Sequence, residues 1–138
     1  MTIYPRPEQL QALLADDDGQ PVVMVNLLRF KPQAGPPHDD LSGEQAYRLY
    51  AETMIPLVES KGGRFLWSGR QTSQVVGDGG EGFHSIALVE YPSRRAFVEI
   101  AMSPEVAAIG THRKAGLEMQ WLLATTTTTG SETTKQSG

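Results

Sequence analysis

Apolar side chains come in runs of two kinds along this chain, and their spacing sets out the elements. The run Val22-Val23-Met24-Val25-Asn26-Leu27-Leu28-Arg29-Phe30 is β-branched and apolar on both parities. Val23, Val25 and Leu27 share one face, and Val22, Met24 and Leu28 the other, so the pattern predicts a strand covered on both sides. Residues 64–76 and 83–91 read as two further strands joined by the glycine-rich segment 77–82, and Met119 to Ala124 as a fourth, interrupted only by Gln120.

The helical spacings fall between these strands. Ser42 followed by Gln45 has the form of a capping box, in which hydroxyl and amide satisfy each other's backbone N–H groups. Tyr47, Tyr50, Met54, Leu57 and Val58 then form one stripe, with a bend expected at Pro56 and an end at Gly62-Gly63. Ser93 caps a short helix carrying Ala96, Phe97 and Ile100, and Ser103-Pro104 restarts another with Val106, Ile109 and Leu117 inward. Ahead of the first strand, Pro7 opens a brief helix that Asp16-Asp17-Asp18-Gly19 closes. The expected organisation is an N-terminal arm over 1–20, a core domain over 21–125 and a polar, disordered tail over 126–138.

The order is strand, helix, strand, strand, broken helix, strand. It predicts an α+β fold of ferredoxin-like βαββαβ type, a four-stranded antiparallel sheet with its helices on one face. The other face then needs a cover, and a second copy of the same sheet supplies it, so a homodimer through the sheet face is expected.

Composition narrows the function classes. The 138 residues suit one core, and 39% hydrophobic with 20% charged residues is ordinary for a globular protein. Twelve basic against sixteen acidic residues give a formal charge of −4, which disfavours a nucleic-acid partner. There is no cysteine, so disulfides and thiolate sites are excluded. No run reaches the roughly 18 uninterrupted apolar residues of a membrane span, and the N-terminal sequence has no apolar core of a secretory signal, so a cytoplasmic protein without a membrane partner is expected.

Asn26-Leu27-Leu28-Arg29-Phe30-Lys31-Pro32, Gly62-Gly63-Arg64, Glu90-Tyr91-Pro92-Ser93 and Ser103-Pro104-Glu105 follow one another at a familiar spacing. On these segments the chain, over roughly residues 21–124, resembles the DUF1330 family of the dimeric α/β-barrel superfamily. The resemblance implies two ferredoxin-like sheets packed face to face, with a small-molecule pocket in each subunit. It implies no particular reaction, since the superfamily spans cofactor-independent monooxygenases, haem-degrading enzymes, lactone isomerases and proteins without known activity.

Seven residues are candidates for chemistry. With the hairpin centred on Gly79 and Gly80, Arg70 and Glu90 face each other on neighbouring strands, as a substrate clamp with Glu90 a tuned base, or as a plain ion pair. Asn26, an amide within an apolar strand, offers hydrogen bonds to a substrate oxygen or is satisfied internally. His112 is the candidate general base or haem ligand, set against a surface histidine, and Arg113 an anion holder or a helix C-cap. Tyr47 and Trp67, with Tyr50, are candidates for an aromatic pocket wall or for core. Asn26, Trp67 and His112 together are similar to the Asn, Trp and His set of haem-degrading relatives. No metal site and no cofactor are expected, because His38, His84 and His112 lie far apart in sequence and the glycine segment lacks a phosphate-loop lysine. Two classes follow: a protein binding or transforming a small organic molecule between sheet and helices, or a non-catalytic dimeric module. A cavity of several hundred cubic ångströms favours the first and a packed interior the second.

Overall fold

The computed structural model describes residues 2–130. Four strands, β1 (Val22–Phe30), β2 (Arg64–Arg70), β3 (Ser85–Tyr91) and β4 (Leu117–Thr125), form one sheet in the order β2-β3-β1-β4, with every neighbouring pair antiparallel. The helices are α1 (Pro7–Ala15), α2 (Gly43–Ser60), α3 (Arg94–Ala101) and α4 (Pro104–Gly116). This is the expected βαββαβ order, with the second crossover broken into α3 and α4 and with α1 added in front. Much of the tail expected to be disordered, residues 131–138, lies outside the described residues. Among those described, no helix is long and apolar enough to cross a membrane.

Local chemistry starts and stops the helices where the sequence places the signals. The Ser42 hydroxyl accepts from the Gln45 backbone N–H at 3.0 Å, and the Gln45 side-chain Oε1 accepts from Ser42 N at 2.9 Å. Ser93 and Ser103 cap α3 and α4 through their hydroxyls alone, accepting from the Ala96 and Val106 backbone N–H groups. Gly62 ends α2 at φ +94°, which a side chain would resist. At its other end α2 meets α4 at a pair of glycines. A Cβ on Gly116 would lie 2.2 Å from the Gly43 oxygen and 2.8 Å from Tyr47 N, so the backbones touch directly and dock α2 against the start of β4.

The even-numbered side chains of β1 point at the helices, where Val22, Met24, Leu28 and Phe30 are buried. Two core clusters result. Val22, Met24, Val58, Tyr91 and Ile100 form one, packed by Leu13, Met54, Val89, Phe97 and Val106. Leu28, Phe30 and Leu117 form the other, packed by Ile3 and Tyr47. The odd-numbered side chains of β1 face the other way, where among the described residues no helix covers them and Phe83 of the hairpin loop meets Trp121 at one end. Val25 lies between Leu88 and Leu123 in the ladder, and Leu27 between Ile86 and Trp121. Trp67, Trp121 and Leu123 stand there 52%, 51% and 48% exposed.

The expected hairpin register is corrected. Glu90 lies opposite Arg64 and Arg70 opposite Ser85, so the hairpin turns about residues 77 and 78 and Arg70 does not meet Glu90. Side chains inside the loop set this register. The Gln71 amide donates to the Gly80 and Phe83 oxygens at 2.6 and 2.9 Å, and Gln74 Oε1 accepts from Gly80 N at 2.8 Å. Val75 and Val76, although β-branched, are almost wholly exposed and extend no strand, having nothing to bury against. A bulge between Phe65 and Trp67 shifts β2 by one residue. Since a one-residue slip reverses the face of every side chain beyond it, Trp67 leaves the helical side and joins the open face.

Candidate functional site

Between the helical face of the sheet and the helices lies a cavity of about 1360 Å³. β1 contributes Met24, Asn26, Leu28 and Phe30 to its wall, α2 contributes Tyr47, Tyr50 and Met54, and α4 contributes Val106 and Arg113. The N-terminal arm crosses its rim, with Thr2 to Arg6 and part of α1 in the wall. Of the seven candidates, the structure brings Asn26, Tyr47 and Arg113 into this wall and leaves the other four outside it.

The polar end of the cavity is a chain of hydrogen bonds across the sheet. Asn26 Nδ2 donates to Ala87 O at 3.3 Å, and Asn26 Oδ1 accepts from Gln120 Nε2 at 2.8 Å. Gln120 Oε1 in turn accepts from Arg113 Nη2, which also donates to the Ile3 carbonyl of the arm. The Arg113 guanidinium sits 5.3 Å from the centre of the Tyr4 ring. Gln120 N donates to Thr2 O at 3.0 Å, so the arm is held both by the wall and by β4.

Three phenols complete the wall. Tyr47 and Tyr50 lie with ring centres 5.4 Å apart, Tyr47 also meets the Phe30 ring at 5.5 Å, and Tyr91 meets Phe97 edge-on at 5.0 Å. Burial holds the Tyr47 and Tyr91 hydroxyls well above the ordinary phenol value of 10.0, helped for Tyr47 by Tyr50 and for Tyr91 by Tyr50 and Tyr47. Tyr50 is raised by burial too, and the Arg113 charge pulls both Tyr47 and Tyr50 partly back. All three therefore stay protonated donors at neutral pH. Among the described residues none of the three hydroxyls has a protein hydrogen bond.

The four candidates outside the wall have structural partners. Arg70 Nη2 bonds Glu44 Oε2 at 2.6 Å and ties the end of β2 to the first turn of α2. Glu90, 1% exposed, pairs with Arg64 at 3.3 Å at the end of the open face. Trp67 lies on that face over Gly69, turned there by the bulge. His112 faces His38, with Nδ1 and Nε2 2.7 Å apart. The aromatic wall is thus made by Tyr47, Tyr50 and Tyr91 without Trp67, and Asn26, Trp67 and His112 do not assemble into one site. Among the described residues no three histidine or acidic side chains gather as metal ligands.

Gln120 and Tyr91 are the wall residues that sequence reasoning missed. Their signals were present: Gln120 breaks the apolar run Met119 to Ala124, as Asn26 breaks Val22 to Leu28, and Tyr91 shares its face with Val89 and Ala87. The contact between His38 and His112 spans 74 residues and leaves no local signal.

The sheet order, the helices on one face and the cavity between them define a ferredoxin-like α+β protein. A hydroxynitrile lyase from Passiflora edulis has a similar fold at 15% identity, covering 82% of this chain and 99% of that one with a TM-score of 0.58. So does a dabb family protein with a ferredoxin-like fold from Mesorhizobium loti, at 15% identity, 78% and 96% coverage and a TM-score of 0.54. Much nearer is a protein of unknown function from Rhodopseudomonas palustris, 30% identical over 93% of this chain and 98% of its own, with a TM-score of 0.83. The family model for a domain of unknown function, DUF1330, matches residues 38–127, and the chain belongs to that family. No curated protein matches the sequence.

Proposed function

We propose that this protein is a homodimer in which each subunit binds or transforms a small organic molecule in the cavity between sheet and helices. The observation that carries the proposal is the cavity itself: about 1360 Å³, mostly apolar in lining, with three phenol hydroxyls that have no hydrogen-bond partner among the described residues. Ligand sites are typically concave and apolar, with a few convergent polar groups. A module serving only to hold two sheets together gains nothing from leaving such a space unfilled, since voids cost packing energy. The dimer rests on the open sheet face, where Trp67, Trp121 and Leu123 form an apolar surface that a second sheet would bury. A cytoplasmic setting is part of the same proposal.

The test is titration with N-phenyl-1-naphthylamine, a neutral apolar fluorophore. One saturable site per chain is expected, and its affinity should fall in Met54→Trp, where the indole adds bulk to the apolar wall, while the melting temperature is kept. Absence of a saturable site in the unaltered protein would overturn the proposal.

A further inference from the structure

Resting on that cavity, we infer that its ligand is an amphipathic monocarboxylate, with the carboxylate on Arg113 and the Tyr47 and Tyr50 hydroxyls and the apolar body among Met24, Met54, Phe97 and Val106. Four arginines of this chain are half-buried: Arg29, Arg64, Arg94 and Arg113. Arg29 pairs with Glu118, Arg64 with Glu90 and Arg94 with Asp18, whereas Arg113 has no carboxylate partner among the described residues. A half-buried cation without a counter-charge is costly, and an anion supplied from solution relieves that cost.

Hydrogen-bonding capacity points the same way. Arg113 Nη2 has both its protons taken, by Ile3 O and Gln120 Oε1. The three N–H groups on Nη1 and Nε make no bond among the described residues. The Tyr47 and Tyr50 hydroxyls add two donors. The amide oxygens nearby are both occupied, Asn26 Oδ1 by Gln120 and Gln120 Oε1 by Arg113. This end of the cavity therefore offers donors in surplus beside a fixed positive charge, which suits an ionised carboxylate and repels an ammonium group. The acidic residues in the wall, Glu44 and Asp16, do not compensate Arg113. Glu44 is engaged by Arg70 and Arg48, and Asp16 lies at the exposed end of α1.

Position supplies the rest. Ile3 and Tyr47 pack on the same cluster of Leu28, Phe30 and Leu117, so Arg113, bonded to Ile3, stands at the tyrosine end. Met54, Val89, Phe97 and Val106 pack on the other cluster, against Val22, Met24, Val58, Tyr91 and Ile100. The cavity thus has a cationic, donor-rich end and an apolar end, and an amphipathic acid matches both.

Calorimetric titration with octanoate, 1-octanol and octylammonium, three probes of equal chain length, tests this. Octanoate should bind at least about tenfold more tightly than octanol, as a charge-assisted hydrogen bond implies, and octylammonium more weakly than either. In Arg113→Met the advantage of octanoate over octanol should vanish with octanol binding kept, and Arg113→Lys should retain part of it. Should the Arg113 variants fail to fold, the double variant Tyr47→Phe, Tyr50→Phe should lower octanoate affinity roughly three- to tenfold and leave octanol unchanged. Octanol binding as tightly as octanoate, or octylammonium binding better, overturns the carboxylate inference alone. Failure of all three probes overturns the cavity as a binding site, and this inference with it.

Discussion

At Gly116 a single added methyl group would meet two backbone atoms, the Gly43 oxygen at 2.2 Å and Tyr47 N at 2.8 Å, with no flexible side chain to yield. Gly116→Ala should therefore cost about 1–3 kcal/mol in a urea denaturation curve, and it should disturb the Tyr47 end of the cavity as α2 is pushed outward. Tyr47 itself has a measurable pH signature. In the unfolded chain its phenol ionises near 10.0, while burial in the fold keeps the proton to higher pH. Its contribution is complete below pH 10 and is lost as pH climbs from 10 toward the folded value. Above pH 10 the stability of Tyr47→Phe should then fall less steeply than that of the unaltered protein, by up to about 1.4 kcal/mol per pH unit, in melts recorded between pH 9 and 11.5.

Among the elements, the loop over residues 31–41 shows how a segment without regular structure is held. Gly35 N donates to Ala115 O at 2.9 Å, Lys31 Nζ to Lys114 O at 3.3 Å, and His38 meets His112, so the loop is fastened to the last turn of α4. His112→Ala should cost about 1 kcal/mol and speed hydrogen exchange at the His38 and Leu41 amides more than at β1, as seen by mass spectrometry. Strands, helices and caps were legible because each depends on neighbours within a few residues: the two-faced apolar run of β1, and the Ser42, Ser93 and Ser103 caps. The site was legible only in part, because its geometry depends on contacts far apart in sequence. Asn26, Tyr47 and Arg113 reach the wall from positions their own periodicity fixes. Arg70, Glu90 and Trp67 were misplaced because the hairpin register is set by the Gln71 and Gln74 amides and the strand phase by a bulge, neither of which alters the hydrophobic pattern.

For the whole molecule the open sheet face is the dominant fact. Light scattering should give about twice the 15.1 kDa of one chain. Leu123→Glu, which puts a charge beside Val25 on that face, should return the mass to a single chain with the circular dichroism unchanged. A persistent dimer in this variant would place the interface elsewhere. The arm that crosses the cavity rim has a second effect, on the sheet's margins. Thr2 O takes the Gln120 N–H of the outer strand β4, and at the opposite margin the short strand β2 carries its bulge. Unpaired strand margins are where sheets add further strands without limit. The arm takes one backbone donor of the first margin and the bulge distorts the second, and both work against growth by strand addition. In the proposed dimer, association through the open sheet face, one self-complementary surface, would close at a pair, and the same hydrophobic side chains would then not drive fibre growth.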